Sequence, residues 1–373
     1  MTDTSDWFTG FSALDHRAGD VPIHARIGGR ADAPPLMLLH GFPQNHAMWQ
    51  RVARQLAPHF RLVLPDLRGY GDSGKPPGDP AHVAYAKRTM AGDIADLMAA
   101  LGHERYAVCG HDRGGRVAHR LALDHPAAVT RLAVLDIAPT LDMYEATDMR
   151  FATFYHHWFH LIQPSPLPET MIGGDRLFYL HWTLGGWGAG GLAHIEPEAL
   201  ASYERCFDDP AAVHAMCEDY RAAATIDLEH DRASRAAGDK IACDTLVLWG
   251  GRSVVEALFD PLAQPQITSA FAPKALSDAD QALMMSACRS ALGGITSAST
   301  NVSLCDYHDA PAATITAVHI ELARAMKLFI LGVYLSGKKG IIRMFTNGSA
   351  VAQGSQDATG RPGALVPIGK ADA

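Results

Sequence analysis

Apolar residues in this chain fall into short runs, and between the runs they recur at helical spacing. The runs are Val21 to Ile27, Pro35 to Leu39, Arg61 to Leu64, Tyr106 to Cys109, Leu132 to Leu135 and Thr245 to Trp249. Each is short, apolar and bounded by turn residues, which predicts a strand. Ala47 to Leu56, Thr89 to Leu101 and Gly115 to His125 predict helices between them. Apolar strands alternating with helices predict an α/β fold, a mostly parallel sheet with helices on both faces.

The rhythm changes between Pro139 and about Ala237. That stretch is rich in aromatics, His and Gly, with Tyr155-His-His-Trp-Phe-His160 and Trp182 to Gly191, and shows no clear strand. It reads as a helical insertion over the sheet. The chain divides into a first core segment (1–138), a helical cap (139–237), a second core segment (238–336) and a tail (337–373). In the second core segment Ala312 to Leu335 predicts a helix, with Val318, Leu322, Ala325 and Phe329 at helical spacing. In the tail Gly, Ala, Ser and Lys dominate and periodicity fades, so it reads as loop-like or disordered.

With 373 residues, 48% of them apolar and 19% charged, the chain can bury a sizeable core. Its formal charge of −8 argues against a nucleic-acid surface, though not against a pocket whose sign is set by a few buried Arg. Cys109, Cys206, Cys217, Cys243, Cys288 and Cys305 show no metal-binding spacing and read as thiols of a reducing compartment. No leader pattern opens the sequence. The apolar stretch from Ala325 to Leu335 carries Lys327 and is too short for a membrane span. These features predict a soluble cytoplasmic protein that does not engage membranes.

The sharpest chemical signal is Tyr106-Ala-Val-Cys-Gly-His-Asp-Arg-Gly-Gly115. It is a strand, then G-x-D-x-G, then a helix: a nucleophile elbow with Asp where the commoner form has Ser. Gly110 and Gly114 suit a tight turn with close helix–strand approach. Asp112 would stand at the helix N-terminus, whose dipole keeps a carboxylate ionised. An ionised Asp is a competent nucleophile without a base. The plainer alternative makes Asp112 only an N-cap.

Two companions favour chemistry. In His40-Gly-Phe-Pro43, Gly41 permits a turn aiming the Phe42 N–H at the elbow, where it and the Arg113 N–H could hold an oxyanion. Asp136 ends the next strand and could orient a His and stabilise its cation. An ordinary loop turn and a strand-end cap are the respective alternatives.

His40-Gly-Phe-Pro-Gln44, Asp66-Leu-Arg-Gly-Tyr-Gly-Asp-Ser73 and Gly110-His-Asp-Arg-Gly-Gly-Arg116 together resemble the α/β-hydrolase superfamily. Within it they are similar to the fluoroacetate (haloacetate) dehalogenases. The resemblance extends to about Ala263 and includes Leu246-Val-Leu-Trp-Gly250 and Phe259-Asp-Pro-Leu262. Epoxide hydrolases and haloalkane dehalogenases share the Asp elbow but typically carry Trp where this chain has Arg113.

Arg113 and Arg116 are three positions apart at the start of one helix, which places them on one face beside Asp112. Two planar forks there suit a small substrate bearing its own carboxylate. Solvated helix arginines are the ordinary alternative. The resemblance implies that His157, Trp158 and Tyr220 donate to a departing halide; otherwise they read as core of the insertion. It also implies an ester on Asp112 that is hydrolysed with a His as base, a homodimer through the cap, and no metal or other cofactor. His156 and His160 are assigned to packing or surface.

After Ala263 the family pattern ends, and no His occurs between His230 and His308. His308, read as lying after a short strand and before the Ala312 helix, is the candidate base, with His319 a weaker one. A fusion or shifted reading frame would make His308 an ordinary loop residue. Competing readings are an epoxide hydrolase, for which Tyr155, Tyr179, Tyr203 and Tyr220 offer phenols, and a non-catalytic binder of small carboxylates.

Overall fold

The computed structural model describes residues 8–187, 191–250 and 330–335. These hold an eight-stranded sheet: β1 (Ser12–Ala18), β2 (Val21–Gly29), β3 (Pro35–Leu39), β4 (Arg61–Pro65), β5 (Tyr106–His111), β6 (Val129–Leu135), β7 (Asp244–Gly250) and β8 (Ile330–Leu335). The spatial order is β1-β2-β4-β3-β5-β6-β7-β8. β4, β3, β5, β6 and β7 run parallel to one another, and antiparallel pairings add β1 and β2 at one edge and β8 at the other.

The six strands read from the sequence all form, most of them extended by one to three residues. β1 was not foreseeable from apolar runs, because Ser12–Ala18 is an edge strand whose side chains mostly face water. β8 corrects the helix expected over Ala312 to Leu335: Ile330–Leu335 pairs antiparallel with β7. A run such as Ile-Leu-Gly-Val-Tyr-Leu has no polar positions to mark its period, so helix and strand look alike in it. The rest of that expected helix, the tail and the candidate bases His308 and His319 lie outside the described residues.

In the first 138 residues α1 (Gln50–Leu56), α2 (Lys87–Ala100) and α3 (Asp112–Asp124) join the strands. α3 begins three residues before its expected start, so Asp112 is its first residue. It packs on β5, β6 and α2. Residues 140–237 carry α4 (Thr140–Glu145), α5 (Met149–Phe154), α6 (His156–Leu161), α7 (Leu167–Gly174), α8 (Arg176–Gly186), α9 (Pro197–Phe207), α10 (Pro210–Ala224) and α11 (Ile226–Ala237). One continuous core runs from Ile23, Met37 and Val108 in the sheet to Trp158, Tyr203 and Tyr220 in these helices. Cys109, Cys206, Cys217 and Cys243 are free thiols. No helix among the described residues is long and apolar enough to cross a membrane.

Candidate active site

The bend between β5 and α3 is built on close backbone contact. A Cβ on Gly110 would stand 2.4 Å from the Gly114 carbonyl oxygen, and one on Gly114 2.3 Å from that of His40. Neither contact leaves room for a methyl group, and the Gly114 N–H donates to the His40 carbonyl at 2.8 Å. The turn forces Asp112 into the left-handed region, with φ +46°. A residue other than Gly in that region costs roughly 1–3 kcal/mol.

Asp112 is half-buried and forms no ion pair within 4 Å among the described residues. Its Oδ2 accepts the Phe42 N–H at 3.1 Å, the bond that the turn at Gly41 was expected to permit. A Cβ on Gly41 would lie 2.6 Å from the Asp112 Cβ, so only glycine lets the two loops meet. The first-turn N–H groups of α3, that of Arg113 included, have no carbonyl one turn earlier in the helix to bond.

Asp136 follows β6 directly. His111 and Leu135 are partners in the parallel register, so the two carboxylates leave adjacent strands at the same level. Asp136 is also left-handed, at φ +53°.

The two arginines differ in their partners. Arg113 is fully buried, and Nε and Nη2 both bond the Asp219 carboxylate at 2.8 Å. Its guanidinium lies 4.1 Å from the centroid of the Tyr220 ring. Among the described residues only Nη1 is left without a partner. One of the two forks expected to face a substrate is therefore largely taken, because a buried guanidinium draws in a carboxylate wherever the fold supplies one.

Arg116 is buried too, at 3% exposure. Nη1 donates to the Ala138 carbonyl at 3.0 Å and to Thr140 Oγ1 at 3.1 Å, and Nη2 meets Met143 Sδ at 2.9 Å. Its cation lies 4.6 Å from the Trp158 ring centroid. No carboxylate among the described residues forms an ion pair with it. Burial and the Arg113 cation push its pKa down, while the Asp112 charge works the other way.

His157, Trp158 and Tyr220 come together over this floor. The His157 ring stacks on Phe42, with centroids 5.7 Å apart and planes at 6°, and meets the Tyr220 ring edge-on at 5.6 Å. Burial, then any charge on the nearby His156 and the Arg113 and Arg116 cations, hold His157 well below the usual histidine range, so it is neutral. Burial and the Asp112 charge push the Tyr220 phenol well up, so it keeps its proton. Neither His157 Nδ1 nor the Tyr220 hydroxyl has a partner among the described residues. Together with Arg113 Nη1 and Arg116 Nε, four buried polar atoms at this junction are unsatisfied. Buried groups of that kind are normally bonded, and these four are open to a polar guest.

Residues that sequence reasoning missed complete the site. Asp219 carries no motif and is known only by its contact with Arg113. Trp187 stands over Phe42 and His157, at centroid distances of 6.2 and 5.0 Å. Thr140 and Met143 hold Arg116.

His24, His46 and Asp66 form the one group among the described residues with metal-ligating spacing. Asp66 Oδ1 already accepts the His46 N–H at 2.7 Å and bonds His46 Nδ1 at 2.9 Å, while Oδ2 accepts the Asp72 N–H at 2.9 Å. These bonds tie the Asp66–Ser73 turn to the short 3-10 helix His46–Trp49 that leads into α1 and give Asp66 and His46 a structural role.

The α/β hydrolase fold family matches residues 34–279. The chain is 48% identical with a fluoroacetate dehalogenase from a Burkholderia species, over 68% of this chain and 82% of that enzyme. It is 34% identical with a soluble epoxide hydrolase from Corynebacterium sp. strain C12, over 58% of this chain and 73% of that one. A solved structure described as an α/β hydrolase, from Nostoc sp. PCC 7120, superimposes with a TM-score of 0.67 at 50% identity, covering 71% of this chain and 88% of that one. Matches of that extent and identity place this chain in the α/β hydrolase fold family.

Proposed function

We propose that this hydrolase removes halide from haloacetates, converting fluoroacetate and water to glycolate, fluoride and a proton. The observation that carries the reading is Arg116, a buried cation beside Asp112 with no acidic partner among the described residues. A substrate carboxylate supplies the missing anion and sets the adjacent carbon before Asp112. The 48% identity with the Burkholderia fluoroacetate dehalogenase supports the same substrate class.

In the first step Asp112 attacks the halogen-bearing carbon in line. The C–O bond forms, the carbon–halogen bond breaks, and halide leaves with its electron pair toward the donors of His157, Trp158 and Tyr220. Phe42 already holds Oδ2, which leaves Oδ1 for the attack. In the second step water adds to the Asp112 carboxyl carbon. The charge developing on Oδ2 stays on the Phe42 N–H, with the Arg113 N–H as second donor. Glycolate then leaves and Asp112 is restored. Water needs a base, a His oriented by Asp136; His308 is assigned that role from the sequence.

An epoxide hydrolase is the second reading, favoured by the Corynebacterium relative and the unpartnered Tyr220 hydroxyl. It gives Arg116 no anion to bind.

Halide release from fluoroacetate and chloroacetate, with an epoxide control and intact-mass analysis, tests the proposal. Release that disappears in Asp112→Ala, with a covalent adduct trapped on Asp112, is the expected result. Epoxide opening without halide release moves the function to the second reading. Glycolate binding with neither turnover nor adduct makes the protein a carboxylate binder.

A further inference from the structure

Behind Arg113 lies a buried charge cluster whose other members, Asp219, Lys87 and Tyr70, have no part in the displacement chemistry described above. Asp219 on α10 is fully buried, yet its two oxygens receive four donors from three other segments. Tyr70 Oη donates at 2.6 Å, Arg113 Nε and Nη2 donate at 2.8 Å, and Lys87 Nζ closes the set. Arg113 Nη2 bonds the Asp219 carbonyl oxygen as well, at 2.8 Å. Lys87 is fixed in turn: its Nζ reaches the Tyr85 carbonyl at 3.2 Å and lies 3.4 Å from Asp227 Oδ2. Burial alone would push the Asp219 carboxyl up, but the Arg113 and Lys87 cations outweigh it and hold the group ionised.

Such a cluster is a poor way to gain stability, since apolar side chains of the same volume usually do as well or better. What it gains is direction. Two parallel bonds to one carboxylate fix the plane of a guanidinium. The Tyr220 ring, carried by the next residue of α10, lies against the Arg113 guanidinium and limits its rotation. Of the guanidinium nitrogens, Nη1 alone has no partner among the described residues, and it is buried.

We propose that Asp219, held by Lys87 and Tyr70, is a positioning residue that fixes Arg113 so that only its Nη1 edge meets the substrate carboxylate, leaving Arg116 as the principal anionic anchor. This rests on the dehalogenase reading. Replacing Asp219 by Asn keeps the shape but sets an amide N–H₂ against a ring of donors, so Arg113 keeps its charge and loses its aim. An anion is then still attracted, but into a poorer attack geometry. The signature is a fall in kcat without a rise in KM.

The test compares chloroacetate with neutral chloroacetamide in wild type, Asp219→Asn and Tyr70→Phe. In Asp219→Asn kcat for chloroacetate is expected to fall at least tenfold with KM unchanged or lower, while chloroacetamide turnover falls less than threefold. Tyr70→Phe, which removes one donor and keeps the carboxylate, is expected to show the same selectivity at about threefold; it serves alone if Asp219→Asn does not fold. Equal losses on both substrates, or a KM effect alone, overturn the proposal in favour of a structural role. The ¹⁵N–¹H signal of Arg113 Nε gives a readout independent of turnover: protected in wild type, and lost in Asp219→Asn. Persistence of that signal in the variant also overturns the proposal. Wild type that releases no halide sinks the dehalogenase reading instead, and the Nε signal still decides whether Asp219 fixes Arg113.

Discussion

Replacing Arg116 by Met separates a binding arginine from a structural one. The substitution removes charge-assisted bonds to the Ala138 carbonyl and Thr140 Oγ1 and a cation over the Trp158 ring. Two such bonds at about 1.5–3 kcal/mol each, plus up to ~2 kcal/mol for the cation–π contact, put the loss at roughly 3–8 kcal/mol. Against it stands the release of a buried charge with no acidic partner, worth several kcal/mol, and of its repulsion from Arg113. Met is unbranched and can fill much of the vacated space. The two sides nearly cancel, and the melting free energy should change by less than about 2 kcal/mol. Binding has no such compensation. An anchored carboxylate that loses its buried partner forfeits about 2–5 kcal/mol, or roughly 30-fold to several thousand-fold in kcat/KM. Halide-release kinetics on chloroacetate, paired with urea denaturation, read both quantities from one preparation. A loss of more than about 4 kcal/mol of stability, with chloroacetate and chloroacetamide equally affected, would show Arg116 to be a strut and refute the reasoning.

Three further outcomes are expected. Gly41→Ala puts a methyl group 2.6 Å from the Asp112 Cβ and should cut kcat by about 100-fold through displacement of the nucleophile, with the fold retained by circular dichroism; activity within threefold of wild type would mean the contact is not needed. Burial holds His119 neutral with its pKa lowered to about 3, so it supports folding fully above about 6.5 and progressively less as pH falls toward 3. His119→Gln should therefore lose about 2 kcal/mol less than wild type between pH 7 and pH 5 in denaturant titrations, and parallel curves would contradict this. His308→Ala should turn steady halide release into a single burst equal to the enzyme, with an ester retained on Asp112; sustained turnover would remove His308 as the base.

The sheet was legible because its central strands are buried on both faces and stand out as unbroken apolar runs. β1 and β8 escaped for opposite reasons: Ser12–Ala18 is mostly wet and lacks the signal, while Ile330–Leu335 is wholly apolar and lacks a period. The placing of Asp112, Phe42 and Asp136 at one end of the sheet was legible because the turn chemistry on either side of them is local. Asp219 was not. Its meaning lies in a contact with Arg113 across 106 positions, and Glu-Asp-Tyr on a helix has no spacing that announces it. Without Asp219 the arginines look like equal partners for a substrate, and with it only Arg116 of the two lacks an anion among the described residues.

Backbone strain points to the same place as the unsatisfied charges. Among the described residues three that are not glycine adopt the left-handed region: His82, Asp112 and Asp136. His82 bonds Glu218 at 2.8 Å and belongs to the contact between the 76–86 loop and α10. The other two are carboxylates at the ends of paired strands, and the charge of Asp112 is felt by the unsatisfied Tyr220 hydroxyl. Asp tolerates this backbone better than most residues, yet the conformation still costs energy that a glycine would not incur. Glycines are placed freely at Gly110 and Gly114, where close backbone contact leaves no room for a side chain. At the two strand ends the same tight turns carry the strain on carboxylates instead, which fits the nucleophile proposed at Asp112. Asp112 has one oxygen on a backbone amide and the other available, which is the arrangement a covalent nucleophile requires at its attack and again at its release.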